Sequence, residues 1–122
     1  MFCRLFKRHS GLAQAQFNLA RLYTAGEGVR RDYKQALYWL RKAAAQDYSP
    51  AKNRLGVIYE RGEGVPKDLI EAYKWYTLAA EANNISAIAN RDHLAPRLTA
   101  RQITEAKSRA AAISLADFSK AK

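Results

Sequence analysis

The chain has a single cysteine, Cys3, so no internal disulfide framework can staple it. It has only two histidines, His9 and His93, far apart and without a ligand-type side chain at i+3 or i+4, which leaves a helical metal site without support. Three prolines and six glycines are too few for long structureless linkers, and a single domain is expected. No apolar run approaches the roughly 20 residues of a membrane helix. At the start, Arg4 interrupts the apolar residues that a signal peptide would need in one block. Together these absences predict a reduced, cytoplasmic chain. Acidic side chains are scarce as well: 11 Asp and Glu face 21 Lys and Arg, a net charge of +10.

That charge is uneven. Residues 1–42 hold nine Lys and Arg against two acids, residues 43–90 five against six, and residues 91–122 seven against three. Most of these cations are expected simply to solvate helical faces. Basic ends would also attract nucleic acid, anionic lipid or an acidic protein through long-range electrostatics.

What the chain does have is a repeat. Shifted by 36 residues, Ala15 falls on Ala51, Leu19 on Leu55, Tyr23 on Tyr59, Gly26 on Gly62, Gly28 on Gly64, Asp32 on Asp68, Ala36 on Ala72 and Trp39 on Trp75. A period of this length marks a stack of supersecondary units. Within the second unit, Ala51, Leu55, Ile58 and Tyr59 follow helical spacing, and so do Ala72, Trp75, Tyr76 and Ala79, so each unit is predicted to be a helix hairpin. Gly-Glu-Gly-Val joins the two helices, because glycine supplies the positive φ that ends a helix. Asp32 with Gln35, Asp68 with Glu71 and Thr99 with Gln102 read as capping boxes, and Ser49-Pro50 reads as an N-cap followed by a first-turn proline.

Boundaries follow from the shift: 1–12 a cap or remnant helix, 13–47 and 48–83 two units, 84–95 a third that starts and stops, and 98–116 a capping helix. Phe2, Leu5 and Phe6 are expected to cover one end of the array. Gly11, Asp47 and Asn83 occupy equivalent turns and are expected to be left-handed. Leu94-Ala95-Pro96 should break the third unit, after which Ile103, Ala106, Ala110 and Ile113 share one face of a closing helix. The first unit should bury Ala15, Leu19, Leu22, Tyr23, Ala36, Leu40, Ala43 and Ala44.

The order Ala-x3-Leu-[Gly/Ala]-x2-Tyr-x2-Gly-x-Gly-Val-x2-Asp-x3-Ala-x2-Trp-x3-Ala-Ala, present twice between Ala13 and Ala82, resembles the Sel1-like repeat, a relative of the tetratricopeptide repeat. The resemblance implies an all-α, right-handed superhelix (a solenoid) of paired helices that binds a protein or peptide in a concave groove. Some bacterial members are signalling adaptors and others resemble immunity proteins. The groove pattern of the tetratricopeptide relatives, carried onto this chain, selects Gln14, Phe17, Arg21 and Thr24, then Asn53, Val57, Glu60 and Arg61, then Ala89 and His93. Phe17 and Val57 would anchor a partner, and Arg21 and Arg61 would orient it.

No catalytic set accompanies this. Gly-Glu-Gly-Val lacks the Gly-Lys-Ser/Thr of a phosphate loop, and Glu27 and Glu63, at equivalent turns, read as turn chemistry rather than as an acid–base pair. The expectation is a binding module without metal or cofactor. A basic solenoid contacting nucleic acid or anionic membrane is the alternative, and its end faces offer a route to self-association.

Overall fold

The computed structural model describes the backbone of residues 2–121 and the side chains of residues 11–114. Six α-helices run in order: α1 (Phe2–Ala25), α2 (Tyr33–Ala44), α3 (Ser49–Arg61), α4 (Leu69–Glu81), α5 (Ile85–Leu94) and α6 (Ala100–Ala121), with a short 3₁₀ turn at Ala95–Arg97 before the last. No strand occurs among the described residues.

The turns explain why helices alternate so regularly. α3 ends on Gly62, whose φ of 74° lets its N–H reach Ile58 O at 2.7 Å; a side chain there would be strained. Asp47 and Asn83 turn the chain between units with φ of 61° and 62°, left-handed as expected. Their equivalent, Gly11, does not turn: α1 runs through it without a break. Glycine permits the left-handed conformation without forcing it. The covering role expected of Phe2, Leu5 and Phe6, and the side chains of Cys3 and His9, lie outside the described residues.

Two of the three expected capping boxes are only half made. Asp32 Oδ1 accepts from the N–H of Lys34 and Gln35 at 3.0 and 3.2 Å, and Asp68 Oδ1 from Ile70 and Glu71, both at 3.1 Å. The reciprocal bond is missing because the N–H of each aspartate is spent across the hairpin, Asp32 on Tyr23 O and Asp68 on Tyr59 O. Thr99 and Gln102 make the full box, at 2.9 and 3.1 Å. Ser49 is not a cap. It is the first helical residue after Tyr48, and its hydroxyl accepts from Asn84 Nδ2 at 3.3 Å.

Burial reflects the stacking. Ala13, Ala20, Ala36, Leu40, Ala43, Ala44, Ala51, Leu55 and Ile58 form one core, in which α2 lies against α1 on one side and α3 on the other. Ala72, Tyr73, Tyr76, Leu94 and Ala106 form the next, between α4, α5 and α6. The face expected of α1 needs correcting. Ala15 is exposed, Leu19 only half-buried, Leu22 39% exposed and Leu12 54% exposed. Their equivalents Ala51, Leu55 and Ile58 are buried by α2, the second helix of the unit before; among the described residues α1 has no such helix before it. The residues that α1 does bury, Ala13 and Ala20, face α2.

Candidate functional site

Three of the proposed groove residues meet. Phe17, Arg21 and Thr24 rise on successive turns of α1 and, with Ala20, Ala25, Leu40 and Arg54, line a cavity of about 290 Å³. Its floor is apolar because α1 and α2 approach through the buried Ala20 and Leu40. Phe17 forms one wall and packs edge-on against Tyr48, ring centres 5.6 Å apart, so it serves the core and the cavity together. Thr24, also in the lining, donates its hydroxyl to Ala20 O at 3.0 Å.

The charge at this cavity is positive. Arg21 is exposed on α1. Arg54 reaches over from α3 and is held by Glu63, Nη2 to Oε1 at 3.0 Å, while Arg61 Nη1 stands 3.6 Å from the other oxygen of the same carboxylate. Glu63, read in sequence as turn chemistry, thus ties two arginines to the end of α3. Arg54 itself was not selected from the sequence. Its only signal is that it stands where the first unit has Asn18.

The remaining candidates on α3 are occupied by the fold. Asn53 Oδ1 accepts from Asn90 Nδ2 at 3.1 Å. Val57 packs against the second core. Glu60 accepts from the Tyr76 hydroxyl at 2.6 Å and from Arg97 Nη1 at 3.2 Å. Burial of Tyr76, then its hydrogen bond to Glu60 and the nearby charge of that carboxylate, push the phenol well above its usual range. Gln14 on α1 and Ala89 and His93 on α5 are exposed. The structure therefore gathers Phe17, Arg21 and Thr24 into one place and sets Arg61 at its margin. It uses Asn53, Val57 and Glu60 to join α3 to α4, α5 and the 3₁₀ turn.

No cluster of metal-ligating side chains is present among the described residues, nor is any described helix long and apolar enough to cross a membrane.

The repeated hairpins, with their paired turns and stacked small residues, agree with a match to the Sel1 repeat model over residues 13–48 and 49–84. The chain belongs to the Sel1 repeat family. Sel1 repeats are structural scaffolds that generally mediate protein–protein interaction. Among solved structures, the chain is similar to c5321, a protective antigen present in uropathogenic Escherichia coli strains and displaying an SLR fold: 38% identity, TM-score 0.78, over 80% of this chain and 21% of that one. It is also similar to a Sel1 repeat protein from Oxalobacter formigenes, with 39% identity and TM-score 0.66 over 67% of this chain and 34% of that one. The chain thus spans only about a fifth and a third of these two proteins. No curated protein matches it.

Proposed function

We propose that this Sel1 repeat chain is a non-catalytic binding module of the bacterial cytoplasm, an adaptor or immunity-type protein, that takes an extended segment of a partner protein across α1 and α3. The observation that carries the reading is the cavity beside Phe17: an apolar floor of Ala20 and Leu40 next to two guanidinium groups, Arg21 and Arg54. An apolar side chain entering there would leave water while its flanking carboxylates or carbonyls meet the arginines, a division of labour common to peptide-binding grooves. Phe17 anchors, Arg21 and Arg54 orient, and Arg61 extends the rim.

A nuclease-treated pull-down at low and at high salt tests this, with wild type beside a Phe17→Ala, Arg21→Glu variant whose helicity has been checked. Val57 is left intact because it packs in the second core. A partner protein held at high salt by wild type and lost by the folded variant supports the groove. Material that washes from both alike as salt rises would instead assign binding to phosphate contacts by the basic ends, since those weaken steeply with salt.

A further inference from the structure

Helices α2 and α4 are equivalent, 36 residues apart, yet they are not equally covered. Each buries one strip within the stack of hairpins: Ala36, Leu40, Ala43 and Ala44 on α2, and Ala72, Tyr76 and Ala79 on α4. On α4 a second strip is buried too, Tyr73 at 6%, Lys74 at 8% and Leu78 at 2% exposure. The equivalent positions on α2 are half-buried Leu37, half-exposed Tyr38 (50%) and exposed Lys42.

The difference is α6. It lies along α4, buries Ala106 and Ala110, and pins itself through Arg109 Nη1 to Glu71 Oε2 at 2.9 Å and Ser114 Oγ to Glu81 Oε1 at 3.2 Å. Among the described residues no helix covers the matching strip of α2 as α6 covers α4, and at its edge Arg41 Nη2 donates to the Tyr59 hydroxyl at 2.7 Å. The strip forms a shallow groove of about 360 Å³ lined by Lys34, Leu37, Tyr38, Arg41, Lys42 and Ala45. The chain itself therefore displays what fits such a strip, a helix with small apolar residues on one face.

Charge says which helix. Where α4 offers Glu71 and Glu81 to the basic α6, α2 has Gln35 and Ala45, and it adds Lys34, Arg41 and Lys42. The one carboxylate near its start, Asp32, is spent on the N-cap. We propose that this face of α2 is a second docking surface, separate from the cavity beside Phe17, and that its occupant is an acidic amphipathic helix of a partner protein. Small apolar side chains at i, i+3 and i+7 would lie on Leu37, Tyr38 and Ala45, with flanking carboxylates on Lys34, Arg41 and Lys42. A second copy of this chain fits poorly, because its α6 brings Arg101, Lys107 and Arg109 against Glu105 alone within residues 100–114. Single-stranded nucleic acid fits less well than a helix. Tyr38 already has Trp39 edge-on at 5.1 Å and Lys42 Nζ over its ring at 5.3 Å, so its stacking surface is partly taken.

The test is a titration of the full chain with a labelled synthetic peptide that copies Ala100–Ala121 with Arg101→Glu, Lys107→Glu and Arg109→Glu, followed by anisotropy; the unmodified peptide is the control. The acidic peptide is expected to bind, to shift backbone amides of residues 34–45 in wild-type protein, and to weaken about tenfold or more against a Lys34→Glu, Lys42→Glu chain. Tyr38→Ala should weaken it at low and high salt alike, as an apolar contact requires. Equal binding of both peptides, amide shifts centred on α1 or α4, or an oligothymidylate that binds residues 34–45 while the acidic peptide does not would each overturn the proposal.

Discussion

The two units differ most instructively at one pair of positions. Ala20 faces Leu40 in the first, and the equivalent Gly56 faces Tyr76 in the second, all four buried. A Cβ built on Gly56 would overlap the Tyr76 ring, so glycine in mid-helix is the cost of placing a tyrosine there. Its hydroxyl can then reach Glu60. Gly56→Ala is expected to destabilise by about 1–3 kcal/mol through overpacking, less about 1 kcal/mol for improved helix propensity. Adding Tyr76→Leu rebuilds the first unit's pair, and urea unfolding should show the double variant losing clearly less than the sum of the singles; strict additivity would contradict this packing account. Tyr76 also makes a pH prediction. Because its folded pKa is raised above the unfolded value of 10.0, the unfolded chain loses that proton first, so the stability present below pH 10 should decline as pH rises beyond it. Tyr76→Phe should flatten this decline in thermal melts between pH 9 and 11, although it forfeits the Glu60 hydrogen bond at neutral pH. The glycine was visible in the repeat pattern as the Gly/Ala position, but which residue it accommodates was not, since Gly56 and Tyr76 lie on different helices.

At the scale of helices, periodicity identified each apolar stripe and could not say which stripe has a neighbour. Leu22 and Ile58 hold the same place in their units, yet Leu22 is 39% exposed and Ile58 4%. Ile58→Ala should therefore cost about 2–4 kcal/mol and Leu22→Ala under about 1 kcal/mol, measured by chemical denaturation. Equal losses would mean that α1 has a covering neighbour in solution. The capping residues behaved in the same way. Asp32 and Asp68 were recognisable as N-caps from their spacing, whereas the competing bonds of their own N–H groups to Tyr23 O and Tyr59 O depend on how the hairpin closes.

For the molecule as a whole, stability rests on two cores in series, and the second is closed by α6 through Ala106 and Ala110. A charge between α4 and α6 should open that end. Ala106→Glu is expected to cost more than about 3 kcal/mol and, because stacked units depend on their neighbours, to lower the unfolding midpoint of the entire chain when followed by far-UV circular dichroism. Loss of the α6 signal alone, with the rest unfolding as before, would show the two cores to be independent. The repeat architecture, the hairpins and the end of α5 ahead of Pro96 were all legible in residue order, because hydrophobic period, glycine turns and capping aspartates act over a few neighbouring residues. The part of the candidate site on α1 was legible for the same reason. Arg54 beside Phe17, the commitment of Glu60 to Tyr76 and Arg97, and the bare strip on α2 were not. Each depends on the distance between residues far apart along the chain, and that distance exists only after burial has packed one helix against the next.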